Sequence, residues 1–180
     1  MSNREVNIIE ASYKKSSNIY WTCWVIALRA EAISIIQLFN MKKVETHSSF
    51  QIYASKETGH ALIISGIGAI KSAAATAYLK AQLDIKSYAA WINLGIAGYY
   101  KEPISKFFQA VKVYSKERNR TFFPGFRFSK IVTGASLLTL NKTEKIYDQP
   151  LLYDMEASGF CEIASKFSCN ELVFVFKIVS

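Results

Sequence analysis

The chain has 180 residues, 51% of them apolar and 20% charged, which suits one globular domain with a sizeable core and excludes a disordered chain. Its formal net charge is +8, but the cations lie in small scattered groups at Lys14–Lys15, Lys42–Lys43 and Lys116–Arg120; no basic stripe marks a nucleic-acid or membrane partner. The three cysteines, Cys23, Cys161 and Cys169, form no C-x-x-C pair, and His47 and His60 have no metal-ligand spacing. Neither a disulfide framework nor a metal site nor another cofactor is therefore expected, and the expected location is cytoplasmic.

Residues 1–20 are polar and read as an irregular arm, so the domain proper is expected over 21–180. Ile19–Leu28 is apolar but too short to span a bilayer, and Glu5 and Glu10 upstream speak against a signal peptide. Trp24–Leu28 reads as a buried strand, and Arg29–Asn40 as a helix with Ile33, Ile36 and Leu38 at helical spacing. Met41–His47 and Phe50–Ser55 read as strands joined at Ser48-Ser49, with a turn at Thr58-Gly59 before the strand His60–Ile64. Ser65-Gly66-Ile67-Gly68 breaks that strand, and the Ala-rich Ala69–Leu83 favours helix. Tyr88–Asn93 reads as a strand ended by Gly95 and Gly98, and Phe107–Tyr114 as another. Lys116–Ser129 is the least ordered stretch and, with Phe122, Phe123, Phe126 and Phe128, the one basic-aromatic cluster. A short strand Lys130–Thr133 before Gly134, a short helix Thr143–Tyr147, a strand Leu151–Tyr153, a helix Met155–Phe167 and a last buried strand Leu172–Val179 complete the reading. Strands alternate with helices, and several strands are apolar on both faces. The predicted fold is therefore α/β, a three-layer α/β/α sandwich with a central mixed, largely parallel sheet.

In such sheets ligands sit at the C-terminal ends of the strands, and the chemically notable residues fall there. Ser65-Gly66-Ile67-Gly68 lies between a strand and a helix, where glycines let backbone N–H groups approach an anion or a sugar; a plain tight turn explains it as well. It is not G-x-G-x-x-G, so no dinucleotide site is indicated. Asp154-Met155-Glu156 opens a helix. A carboxylate there complements the helix dipole, and it can also accept two hydrogen bonds from a vicinal diol, with Met as an apolar floor for a sugar. Glu31 lies in the first turn of its helix, where it either serves the same dipole or acts as a general base that orients water. No nucleophile elbow or P-loop occurs, so covalent catalysis is not the leading reading.

Together, WVIALRAE (Trp24–Glu31), IISGIGAIKSAAA (Ile63–Ala75), INLGIAG (Ile92–Gly98), KIVTG (Lys130–Gly134), YDMEA (Tyr153–Ala157) and FKIVS (Phe176–Ser180) resemble, in order and spacing, the purine nucleoside phosphorylase and methylthioadenosine/S-adenosylhomocysteine nucleosidase superfamily. The resemblance implies Glu31 as the water-orienting catalytic carboxylate, Ser65 and Gly66 beside water and ribose, and Met155 and Glu156 holding the ribose. It further implies Leu137 and Leu138 in the base-binding loop and Ser180 beside the base. The ligand implied is a purine nucleoside or purine base, and the assembly a homodimer. Arg29 is followed by Glu31, and no Arg precedes Gly95, so the resemblance favours water over phosphate as nucleophile. It departs at Tyr99 and Tyr100, where small residues are usual, and at Leu137, where an aromatic often stacks on the base. The family pattern continues past the serine with an aspartate that protonates the purine, and then a C-terminal helix. This chain ends at Ser180, so the expectation is an N-glycosidic hydrolase-like protein impaired as given. A non-catalytic nucleoside-binding relative and a purine nucleoside phosphorylase stand as alternatives.

Overall fold

The computed structural model describes residues 20–100, 104–128, 130–143 and 146–180; the expected arm, apart from Tyr20, lies outside the described residues. The elements in chain order are β1 (Thr22–Ile26), α1 (Arg29–Leu38), β2 (Lys42–Val44), β3 (Gln51–Ser55), β4 (His60–Ile64), α2 (Ala69–Gln82), β5 (Ala90–Tyr99), β6 (Phe107–Ser115), β7 (Arg120–Phe122), β8 (Thr133–Thr139), β9 (Leu152–Asp154), α3 (Ala157–Phe167), a 3₁₀ turn at Asn170–Leu172 and β10 (Val173–Val179).

All ten strands join one sheet with two parts. The wing runs β2-β3-β4-β1 and attaches to β5 through the parallel pair β1–β5. Beyond β5 the pairing returns on itself, because β5 bonds both β10 and β9, and the circuit β5-β10-β6-β8-β9 closes into a small barrel. Among the described residues five strand pairs are parallel and five antiparallel. The sheet is thus mixed rather than largely parallel, and the closed part is not one flat layer.

Helices cover both faces of the wing because its strands are apolar on both. Trp24 and Ile26 of β1 and Leu62 of β4 pack with Ala32 of α1, Met41 and Tyr53. Cys23, Val25 and Ile63 point the other way, into a core shared with Ala75 and Leu79 of α2 and with Phe160 and Ala164 of α3. Ile26, Ile52, Leu62, Ile63 and Leu79 are fully buried, each stabilising by about 1.5–3 kcal/mol. Helix α3 also packs on β5, β6, β7 and β10. Gly159 permits its close approach to α2, since a methyl there would run into the Ala69 backbone.

The sequence reading differs from the structure where glycine was taken to stop a strand. β5 runs through Gly95 and Gly98 to Tyr99, and β8 starts at Thr133 and passes through Gly134. The strand's C-terminal end is Thr139, not Gly134. Cross-strand hydrogen bonds on the neighbours hold these glycines extended against their local preference. The stretch taken as least ordered contains β7, paired with β6 at Val113–Phe122, Tyr114–Thr121 and Ser115–Arg120. Thr143, Ile146 and Tyr147 are not helical, and the residues between them lie outside the described set.

Candidate functional site

A cavity of about 320 Å³ opens where β1, β5, β9 and β10 end, a volume within the range of small-molecule sites. Glu31, Met155, Glu156 and Ser180 line it, with Leu28, Ile67, Ile96 and Gly98, and with Leu140, Lys142, Thr143 and Tyr147 from the segment after β8.

Glu31 is fixed by the start of its own helix. Leu28, the residue before α1, is extended (φ −118°, ψ 145°) and has no polar side chain to cap with. Its N–H instead donates to Glu31 Oε2 at 2.9 Å, the side-chain-to-backbone half of a capping box. The other oxygen, Oε1, accepts from the N–H of Ile96 on β5 at 3.0 Å. The carboxylate is thereby tied to the end of β1 and to β5, while each oxygen keeps acceptor capacity toward the cavity. Gly95 lies beside this arrangement: a methyl added there would sit in ordinary contact with Glu31 Oε1 at 3.4 Å and Lys177 Nζ at 3.5 Å.

Lys177 was not singled out by sequence reasoning. It sits on β10, 1% exposed, and its Nζ lies 2.8 Å from Asp154 Oδ2, whose side chain is 0% exposed. The sequence signal was present, as one lysine in the apolar run VFVFKIV. Asp154 is saturated: Oδ1 accepts from Thr139 Oγ1 at 2.8 Å, and Oδ2 also accepts from the N–H of Ala157 at 2.8 Å, capping α3. A buried ion pair with such partners is costly to break from one side.

Glu156 comes next to this pair. Its Oε1 accepts from the N–H of Gly68 at 2.9 Å and its Oε2 from that of Met155 at 3.3 Å, joining α3 to the start of α2. Gly68 holds φ +112°, a conformation that favours glycine. Burial pushes the Glu156 carboxyl above its ordinary range and the charge of Asp154 adds to this, against the opposing pull of Lys177 and the two backbone N–H groups.

The other expected residues fall into two groups. Ser180 lines the cavity, its N–H donating to the Ala97 carbonyl at 3.3 Å. Ser65 and Gly66 lie behind it: Ser65 Oγ donates to the Gly66 carbonyl at 2.9 Å, and the cavity wall is Ile67 instead. Leu138 is displaced outright. It lines a separate cavity of about 340 Å³ with Lys112, Tyr114 and Leu137, and Leu140 takes its place in the main one. The cause is the length of β8, which keeps 137 and 138 within the barrel wall. Tyr147 and Tyr153, missed from the sequence, face each other with ring centroids 5.0 Å apart.

Among the described residues no group of three or more His, Cys, Asp or Glu is disposed to hold a metal ion. No helix of these residues is long and apolar enough to cross a membrane.

A mixed α/β fold with its cavity at the strand ends, floored by D-M-E and walled by a helix-start glutamate, defines a class: the chain has the fold of the nucleoside phosphorylase and nucleosidase superfamily. More particularly, it is similar to the 5′-methylthioadenosine nucleosidase of Arabidopsis thaliana in apo form, at 16% identity over 89% of this chain and 81% of that one, with a TM-score of 0.74. It is also similar to the futalosine hydrolase of Helicobacter pylori strain 26695 (11% identity, 90% and 88% covered, TM-score 0.74). A third likeness is to the S-adenosylhomocysteine nucleosidase of Streptococcus pyogenes in complex with 5-methylthiotubericidin (15%, 92% and 85%, TM-score 0.73). No protein-family model and no curated protein matches the sequence.

Proposed function

We propose that this protein hydrolyses the N-glycosidic bond of a purine nucleoside, in the manner of a methylthioadenosine/S-adenosylhomocysteine nucleosidase. The observation that carries the reading is that Glu31 and Glu156, from opposite ends of the sequence, line one cavity of nucleoside size. Similar folds include nucleosidases in complex with 8-aminoadenine and with adenine, which supports a purine ligand.

In this reading the ribose lies on Met155, with its two hydroxyls donating to Glu156. Glu31 orients a water toward the anomeric carbon and takes its proton. The carbon–nitrogen bond breaks, and the base leaves with the bonding pair and takes up a proton. Ser180 flanks the base. Water is favoured over phosphate because Arg29 is turned away, its Nη1 donating to Tyr53 Oη at 2.8 Å and to Gln51 Oε1 at 3.2 Å. Among the described lining residues Lys142 is the one cation.

Adenine release from 5′-methylthioadenosine tests the proposal. Slow release by the wild-type chain, in keeping with the impaired hydrolase expected above, and lowered further in Glu31→Gln, by about 10²-fold or more, is the expected outcome. No release, or release unchanged in that variant, overturns it. We further propose a cytoplasmic homodimer, supported by the exposed apolar rim of Leu28, Ile67 and Ile96 around the cavity mouth. A monomeric mass by light scattering at micromolar concentration overturns the dimer.

A further inference from the structure

Tyr147 stands where a ligand would. It belongs to the segment after β8, in a stretch (146–150) without regular secondary structure. Its ring lies so close on the β5 backbone that a methyl group added to Gly98 would fall inside it. Gly98 is the register partner of Tyr153, and the Tyr147 ring packs on the Tyr153 ring with centroids 5.0 Å apart. All three line the cavity together with Ser180, Glu31 and Glu156. The glycine is therefore a flat bare patch of backbone at the cavity's end, and the side chain that covers it is planar, aromatic and capped by one polar atom. Those are the properties of a heterocyclic base.

We infer that the Tyr147 ring is an internal stand-in for the planar end of the ligand: it occupies the Gly98 patch and is displaced when a base binds there. This rests on the nucleoside reading of the cavity and adds a selectivity element to it. A ligand must outcompete a resident aromatic ring, so flat aromatic heterocycles displace it and saturated or non-planar groups do not. The displaced ring leaves through rotation of its own side chain, and the Gly98 backbone is the surface that changes hands. Apparent affinity is the intrinsic affinity multiplied by the fraction of molecules with the patch open. Where the covered form predominates at about nine to one, removing the ring tightens binding about tenfold.

The test is adenine and 5′-methylthioadenosine binding by calorimetry, with association rates by stopped flow, on the full chain as wild type, Tyr147→Ala and Tyr147→Phe, each shown folded by circular dichroism and melting. Expected are a lower Kd for adenine in Tyr147→Ala, by about three- to tenfold, a faster association rate, and wild-type behaviour in Tyr147→Phe. Unchanged or weaker binding by Tyr147→Ala, with the wild type binding normally, overturns the stand-in and makes the ring a bystander or a stacking platform. Absence of purine binding by all three folded proteins overturns the nucleoside reading of the cavity and this inference with it. Should Tyr147→Ala fail to fold, Tyr147→Leu, apolar but not planar, is measured in its place against the same expectations.

Discussion

The wing and the barrel meet at the β1–β5 pair yet solve opposite problems. In the wing, β1 lies between β4 and β5 in parallel register, and both its faces meet apolar helix surface. In the barrel, one face of the strands accommodates Lys177, Asp154 and Thr139 and the opposite face Gln109, all nearly inaccessible to water. Each is held by a specific partner: Gln109 clamps the segment after β7, donating from Nε2 to the Phe126 carbonyl and accepting from the Phe128 N–H. Apolar burial is non-directional and tolerant, whereas a buried charge is tolerated only with its partner in place. The comparison teaches that the wing is stabilised by contacts that are individually replaceable, and the barrel by pairs that are not.

The largest expected effect breaks such a pair. Asp154→Ala leaves the Lys177 ammonium buried without its carboxylate and removes the cap of α3, for a loss of about 3–5 kcal/mol in urea unfolding. Replacing both members, Lys177→Met with Asp154→Leu, restores much of that stability, since paired removal leaves no orphan charge. In the wing, Leu62→Ala opens a cavity at a cost of about 2–5 kcal/mol, and Leu62→Met costs under about 1.5 kcal/mol. If conservative swaps at 154 proved as mild as those at 62, the contrast would collapse.

A smaller effect separates the two regions by pH. In the wing, Trp24 Nε1 donates to His60 Nδ1 at 3.0 Å, and Phe39 stacks on the imidazole at 3.6 Å between centroids. Burial holds the His60 imidazole below its ordinary value of 6.5. The unfolded chain then binds the proton more readily, so stability is complete above about pH 6.5 and is lost as pH falls toward the depressed folded value. At the edge of the barrel, where Glu156 links β9 to α3, the sign is reversed. Glu156 is raised above its ordinary value of 4.5, so its contribution is most favourable below pH 4.5 and is lost as pH rises through the folded value. Melting temperature against pH should therefore lose its low-pH fall in His60→Phe and its high-pH fall in Glu156→Gln. A variant that leaves the profile unmoved refutes the assignment for its region.

The smallest effect concerns the thiols. Cys23 in the wing and Cys161 in α3 are buried, and burial pushes both thiols far above the ordinary range, whereas Cys169 is exposed. Only the thiolate reacts, so one equivalent of a thiol reagent should label the native protein, at Cys169. Labelling at Cys23 would show that the wing opens more readily than its packing implies.

The helix positions were legible because their signals are local. The alanine run after Gly68 and the spacing of Ile33 and Ile36 each specify helix within a few residues of chain. The strands of the wing were legible for the same reason, as short apolar runs bounded by turns. Glu31, Met155 and Glu156 could be nominated as candidates because each stands near a strand end or helix start, a position readable from the chain alone, whereas Ser180 was nominated only through the family resemblance. The barrel was less legible. Gly95, Gly98 and Gly134 carry a local preference against strand, and only pairing with distant β10, β9 and β6 overrides it. The misplacement of Leu138 follows directly, because β8 read as ending at Thr133 puts a wall residue into a loop.

By itself, then, the sequence determined helices α1 to α3, the wing and the residue types available for chemistry, since propensity and apolar periodicity act over a few residues. The tertiary structure alone decided the closure of β5 onto both β10 and β9. It decided the meeting of Glu31 with Ile96, the pairing of Lys177 with Asp154, and the seating of Tyr147 on Gly98. Each of these joins residues far apart in the chain, and its energy exists only once the strands between them have paired, so no local pattern of residues records it.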